Sequence, residues 1–320
     1  MNRSTVDLIE AVAAHDLQKA RRCALAAVSS DTAQSRDWWR KNMRKKLEAE
    51  PFELGEAVPD ALRGMIVVED SSQFPVGRFT LDTTNCEVVY HVRKVRKACD
   101  RLSAMGISYA NATMLYGEPG VGKTMLARYV AYEQQLPFVY VNFSHLVDSY
   151  MGATGRNIDR VFGFCESYPC LLMLDEIDTI SAARTSARDG AAKELGRVTV
   201  TLMQRLDRLG SSTVLMAATN RIDIVDPALR RRFTREFEIT RPRCFDEVHC
   251  IVENFLDDCG LCYDVEEMES IESHWVGLCP TQDRIVKALI ESIADHELRG
   301  LTREQEVSVD FLPKMMEVDA

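Results

Sequence analysis

Residues 117–124 read Gly-Glu-Pro-Gly-Val-Gly-Lys-Thr, between an apolar run at 112–116 and a helix-like stretch at 125–131. No other part of the chain restricts the fold as tightly. Glycines at 117, 120 and 122 let successive backbone N–H groups turn toward one point, and the helix that follows adds the positive end of its dipole. A strand delivering the chain into such a turn, and the turn into a helix, is the opening of a βαβ unit. Gly117, Glu118, Pro119, Gly120, Val121, Gly122 and Lys123 are therefore expected to cradle the phosphates of a nucleoside triphosphate. Lys123 should reach the β- and γ-phosphates, and the Thr124 hydroxyl should take one position on Mg²⁺. An ordinary glycine-rich turn is the alternative, and the strand–loop–helix order speaks against it.

The pattern from about residue 86 alternates helices with short apolar runs. Strands are expected at 113–116, 138–142, 170–174 and 213–217, each bounded by polar or turn residues. Helices are expected at 88–105 and 157–165 among others, which argues a parallel, doubly wound α/β sheet. After Pro242 the chain turns helical at 245–259, around 265–273, at 282–298 and at 309–318. Two helical stretches precede the sheet, at 5–28 and about 34–50, and Pro51 to Pro59 is a break. The expected organisation is an N-terminal helical region with linker at 1–72, an α/β domain at 73–241 and a helical lid at 242–320. With 320 residues, 46% of them hydrophobic, the chain can bury more than one core.

Leu171-Leu172-Met173-Leu174-Asp175-Glu176-Ile177-Asp178 is the second decisive segment. Carboxylates emerge where a buried strand ends, the edge at which ligands sit on such sheets. Asp175 is placed to hold the hydration shell of Mg²⁺, and Glu176 to polarise a water for attack on the γ-phosphate. With the glycine loop some fifty residues upstream, these motifs resemble AAA+ ATPases, specifically the AAA subfamily of protein-remodelling and unfolding machines. The resemblance covers roughly residues 75–318. It implies ATP and Mg²⁺ as cofactors, a homo-oligomer that is a hexameric ring or spiral, and a protein client threaded through its pore.

The resemblance also assigns residues. Val214 to Arg221 is similar to the family's sensor 1 strand, so that Asn220 would orient the attacking water. Asp226 to Phe233 is similar to its arginine-finger segment, so that Arg231 and Arg232 would reach the γ-phosphate of a neighbouring subunit. A trans arginine neutralises charge on the transferring phosphoryl group; a basic cluster paired with local acids is the alternative. Tyr150-Met151-Gly152 is similar to pore loop 1, where an aromatic and a flexible apolar residue would grip an extended polypeptide, the alternative being a packed core pair. The compact Arg-Arg-Arg-Phe spacing resembles the katanin/spastin-like branch. There is no clear sensor 2 arginine at 281–284, although Arg284 could serve, and adenine contacts are expected near Phe74 to Phe79.

Net charge is −10 and the pI about 5.2, so general attraction to nucleic acid is not built in. Arg40, Lys41, Arg44 and Lys45 beside Trp38 and Trp39 nevertheless keep a second reading open, a nucleic-acid-linked loader or initiator-type ATPase switch. The preferred reading of that helix is a solvated face, with residues 1–72 a possible adaptor-binding region. Cys259, Cys262, His249 and Cys250 suggest zinc but lack a second ligand pair at a recognisable spacing. No apolar run approaches the ~18–20 residues of a membrane span, nothing reads as a signal peptide, and a cytoplasmic location is expected.

Overall fold

The computed structural model describes residues 58–107, 109–141, 154–181, 190–210, 212–267 and 280–298, together with 23, 24, 28 and 307. The chain divides into two compact units, Met1–Pro59 and Asp60–Ala320. In the first, Cys23, Ala24 and Val28 are helical and Val28 is buried. The remainder of the expected N-terminal helices, the one at 309–318 and most of the one at 265–273 lie outside the described residues.

The second unit is built on a six-stranded sheet. Strands β1 (Ile66–Glu69), β2 (Asn111–Tyr116), β3 (Phe138–Val141), β4 (Cys170–Leu174), β5 (Thr213–Thr219) and β6 (Arg235–Glu238) lie in the order β1-β3-β4-β5-β2-β6. β1 runs antiparallel to β3, and the other pairings are parallel. The described α-helices are α1 (Thr83–Ala104), α2 (Lys123–Glu133), α3 (Thr154–Ser167), α4 (Asp178–Ser181), α5 (Gly190–Leu206), α6 (Pro227–Arg230), α7 (Phe245–Cys259) and α8 (Gln282–Leu298).

Strand order fixes where the helices go. From β2 to β3 the chain crosses the sheet in one direction, and from β3 through β4 to β5 it returns. Right-handed crossovers then put α2 on one face, with α3 and α5 on the other. On the α2 side, Val88 and Val92 of α1 and Leu126 and Val130 of α2 share a core with Leu115, Phe138, Leu171, Met173, Val214 and Met216. The alternate strand residues Met114, Val139, Leu172, Leu174 and Leu215 are equally buried and point the other way. Burial on both faces is why these strands read as unbroken apolar runs.

β4 has the expected bounds, and β2 and β5 outlast the expected ones. β2 begins at Asn111, whose buried side chain donates to the Val92 carbonyl at 3.0 Å. β5 continues through Ala218 and Thr219, where the Thr219 hydroxyl donates to Asp178 Oδ1 at 2.8 Å. α1 starts earlier than expected because Asp82 caps it, accepting from the Asn85 N–H at 2.6 Å. β1 and β6 were not expected. β1 falls within the stretch assigned to the N-terminal region, yet it pairs with β3, and its Glu69 takes a two-pronged contact from Arg128 of α2 at 2.7 and 2.9 Å.

α7 and α8 build a smaller second core from Val248, Ile251, Val252, Phe255, Leu256, Ile285 and Leu289, joined by Leu261 and Val307. The first turn of α8 meets the loop after β2, where the Asp283 N–H donates to the Gly120 carbonyl at 3.0 Å. No described helix is long and apolar enough to cross a membrane.

Candidate functional site

β4, β5 and β2 are neighbours in the sheet, so Asp175, Asn220 and the 117–122 loop leave it side by side at their carboxyl ends. Gly117 adopts φ +151° and Gly122 φ +89°, backbone that side-chain-bearing residues avoid. A Cβ on Gly117 would lie 2.0 Å from the Ile239 carbonyl oxygen, and one on Gly122 would lie 2.3 Å from Gln282 Oε1. Backbone conformation therefore requires glycine at both positions, and the fixed Ile239 carbonyl requires it again at 117.

Lys123 opens α2 and is only 7% exposed. Its ammonium donates to the carbonyls of Gly117 at 2.8 Å and Glu118 at 2.7 Å, and to Asn220 Oδ1 at 2.8 Å. Burial pushes its pKa down, while Asp175, Asp178 and Glu118 pull it up. The Thr124 hydroxyl donates to Asp175 Oδ2 at 2.6 Å, and Asp175 Oδ1 accepts from the Glu176 N–H at 2.9 Å. Glu176 itself is exposed and holds φ +53°, a left-handed conformation costly for a non-glycine residue by about 1–3 kcal/mol. Its carbonyl is fixed by both the N–H and the hydroxyl of Thr179. The strain thus sits on the carboxylate that emerges beside the loop.

A cavity of about 670 Å³ opens against these groups. Gly120, Gly122, Lys123, Thr124, Asp175, Glu176 and Asn220 line its polar end; Pro75, Phe79, Ile251, Phe255, Val286 and Ile290 line its apolar side. A polar, cationic end beside an apolar wall suits a ligand with an anionic tail and a flat, weakly polar head. The residues present fit ATP and Mg²⁺: the glycine loop and Lys123 face the anionic end, and Thr124 with Asp175 supplies the oxygen donors a hard divalent cation takes.

Pro75 and Phe79 are the two members of the apolar wall that fall in the stretch where adenine contacts were expected, and Phe79 is the aromatic one. It stacks on Tyr129 with ring centroids 4.8 Å apart. The α7 and α8 residues of the wall were not foreseen; they are ordinary apolar positions of amphipathic helices, and nothing local marks them. From α8 the lining residues are Gln282, Asp283, Val286 and Ile290. Asp178 was quoted in its motif without a role, and its bond to Thr219 ties the ends of β4 and β5 together.

The three consecutive arginines are not equivalent. Arg230 makes a two-pronged pair with Glu236 at 2.8 and 2.5 Å. Arg232 pairs with Asp207 at 3.0 and 3.1 Å and also donates to the Ala228 carbonyl at 2.5 Å. Arg231 is exposed and has no hydrogen-bond or ion-pair partner among the described residues. Of the two arginines expected to reach a neighbouring subunit, Arg232 is thus paired within its own chain, as is Arg230, and Arg231 alone of the three is exposed without a partner among the described residues. Tyr150, Met151 and Gly152 lie outside the described residues. His249 bonds to the Tyr263 hydroxyl at 2.5 Å, and no metal-holding group of His, Cys, Asp or Glu occurs among the described residues.

A family model described as "ATPase family associated with various cellular activities (AAA)" matches residues 113–241. The chain is 32% identical over 217 residues to the 26S proteasome regulatory subunit 8 homolog of Encephalitozoon cuniculi, covering 64% of this chain and 55% of that protein. It is 40% identical over 143 residues to the proteasome-activating nucleotidase of Methanococcus maripaludis, covering 43% and 35%. With the ATP-dependent zinc metalloprotease FtsH of Corynebacterium glutamicum it shares 38% identity over 147 residues, covering 44% and 17%. The chain therefore spans about half, or less, of the length of these relatives.

Proposed function

We propose that this chain, through the AAA ATPase domain it carries at residues 113–241, hydrolyses ATP as an oligomer and uses the cycle to remodel, unfold or disassemble a protein client. One observation carries the reading. Lys123, Thr124, Asp175 and Asn220 converge at the polar end of the cavity, while Arg231 stands exposed and unpaired among the described residues. That is a phosphate site with three strand ends in place and a cation held in reserve on the surface.

The loop N–H groups and Lys123 hold the phosphates, and Thr124 and Asp175 would hold Mg²⁺. When bound, ATP provides the phosphoryl group and Mg²⁺ neutralises charge on it. Asn220 orients the attacking water, and Glu176 takes its proton. Arg231, flanked by Arg232, enters the neighbouring subunit's site and offsets charge developing on the γ-phosphoryl oxygens, so turnover is coupled to assembly. A hexameric ring or spiral in the cytoplasm is the assembly proposed. Tyr150, Met151 and Gly152 would grip the client in its pore, and residues 1–72 would recruit an adaptor. Relatives named as proteasome regulatory subunits and a proteasome-activating nucleotidase support a protein client.

The test is Glu176→Gln, which keeps size and polarity while removing the base. Steady-state phosphate release should fall to near zero while nucleotide binding is retained and ATP-bound oligomers accumulate. Undiminished turnover in that variant would remove Glu176 from the reaction.

A further inference from the structure

α1 and α7 each present a solvent-facing stripe of one charge sign, and the two signs are opposite. On α1, Arg93, Lys94, Lys97 and Arg101 are exposed, in line with Tyr90, which is 59% exposed. At 3.6 residues per turn these positions share an arc of about 100°. On α7, Asp246, Glu253 and Asp257 are exposed along one face, with exposed Cys250 between them. Positions 90, 94, 97 and 101 repeat the spacing of 246, 250, 253 and 257, so each stripe runs about 16 Å along its helix.

None of these charged residues has an ion-pair partner among the described residues. Exposed Arg63, Arg221 and Lys287 each pair with a carboxylate close by in sequence, Asp60, Asp223 and Asp283 respectively. In a chain of net charge −10, four neighbouring cations with no counter-charge among the described residues form a basic surface that an acidic one on a second copy would complement.

We infer that the α1 stripe of one copy docks along the α7 stripe of the next. The chain supplies both halves of the contact, with matched length and opposite sign. Joining two different patches of identical subunits gives a head-to-tail contact, which closes into a ring or winds into a spiral according to its rotation. The inference rests on the oligomer proposed above and names the surfaces that build it. Because both stripes are solvent-exposed, the attraction is screened over about 8 Å at physiological ionic strength, and assembly weakens as salt rises. A nucleic-acid strand is the other anion that could follow α1, and the acidic stripe already present in the same chain favours a second copy.

Charge exchange tests this with the full chain in ATP, reading mass by sedimentation. One variant carries Lys94→Glu, Lys97→Glu and Arg101→Glu; the other carries Asp246→Lys, Glu253→Lys and Asp257→Lys. Each alone faces like charge with like, and its assembly should weaken by at least about tenfold. An equal mixture should recover the mass of the unsubstituted oligomer, because every contact then joins opposite signs. A chain carrying all six substitutions should assemble with itself. Binding of a fluorescent ATP analogue by the monomer should persist throughout.

An unsubstituted chain that binds the analogue yet stays monomeric would remove the oligomer beneath this inference, leaving the nucleotide site intact. An oligomer indifferent to both triple substitutions, or two variants that remain apart when mixed, would overturn the docking alone. It would also be overturned if the first variant lost binding to a single-stranded oligonucleotide while assembling normally.

Discussion

The floor of the cavity and the surface around α6 treat their cations in opposite ways. Lys123 is buried and takes three oxygen acceptors within 2.8 Å, all from its own subunit. Arg231 is exposed and takes none among the described residues, although Arg230 and Arg232 on either side are both paired. A buried ammonium must be satisfied locally or it loses its charge. A surface guanidinium can wait, since water solvates it at little cost. The first arrangement binds; the second is available to be inserted elsewhere.

Four substitutions break or sharpen that contrast. Arg231→Ala should have the largest effect, a loss of turnover on the order of 10³-fold or more with nucleotide binding retained, because a trans arginine acts on the transition state. Mixing it with the Glu176→Gln chain should restore some turnover at mixed interfaces, which phosphate release would detect. Lys123→Ala should follow, with triphosphate affinity and turnover both down by about 10²–10³-fold in titration and kinetics. Arg232→Ala should cost much less than Arg231→Ala, and about 0–1 kcal/mol of stability from its half-exposed pair with Asp207. Asp207→Asn should reproduce that stability loss in thermal unfolding. If Arg232→Ala instead silences turnover as fully as Arg231→Ala, the two arginines act together and the distinction between them fails.

The smallest effect is one of pH. His91 lies 3.3 Å from the Thr234 hydroxyl and edge-on to Phe237, beneath the segment that carries Arg231. Burial holds its pKa below 6.5, helped by the charges of Arg235 and Lys94. The unfolded chain therefore takes up the proton first as pH falls. Stability is full above about pH 6.5 and declines as pH drops toward the folded value. His91→Gln should flatten that part of the unfolding-temperature profile, and an unchanged profile would remove His91 as its source.

Which parts of this were legible beforehand follows from where the information lies. The glycine loop, Lys123, Thr124 and Asp175 stand at strand ends whose apolar runs announce them, so local sequence suffices, whereas Asn220 was expected only from the family resemblance. β1 and β6 are four residues each at the sheet edges, and Arg235-Glu236-Phe237-Glu238 has one buried residue to signal a strand. The apolar wall of the cavity gathers Phe79, Phe255 and Ile290 from positions far apart in the chain, and only tertiary folding brings them together. Telling Arg231 from Arg232 needs Asp207, which lies 25 residues away at the end of α5. Tyr150, Met151 and Gly152 keep the standing of a sequence expectation.

The bond from the Asp283 N–H to the Gly120 carbonyl has a mechanical consequence. It ties one end of α8 to the glycine loop that lines the cavity. α8 has 17 residues, a rod about 25 Å long, so a tilt of about 10° at the pinned end swings the far end by about 4 Å. A shift of the loop that tilted the helix would be small at Gly120 and would reach the size of a side chain at Leu298.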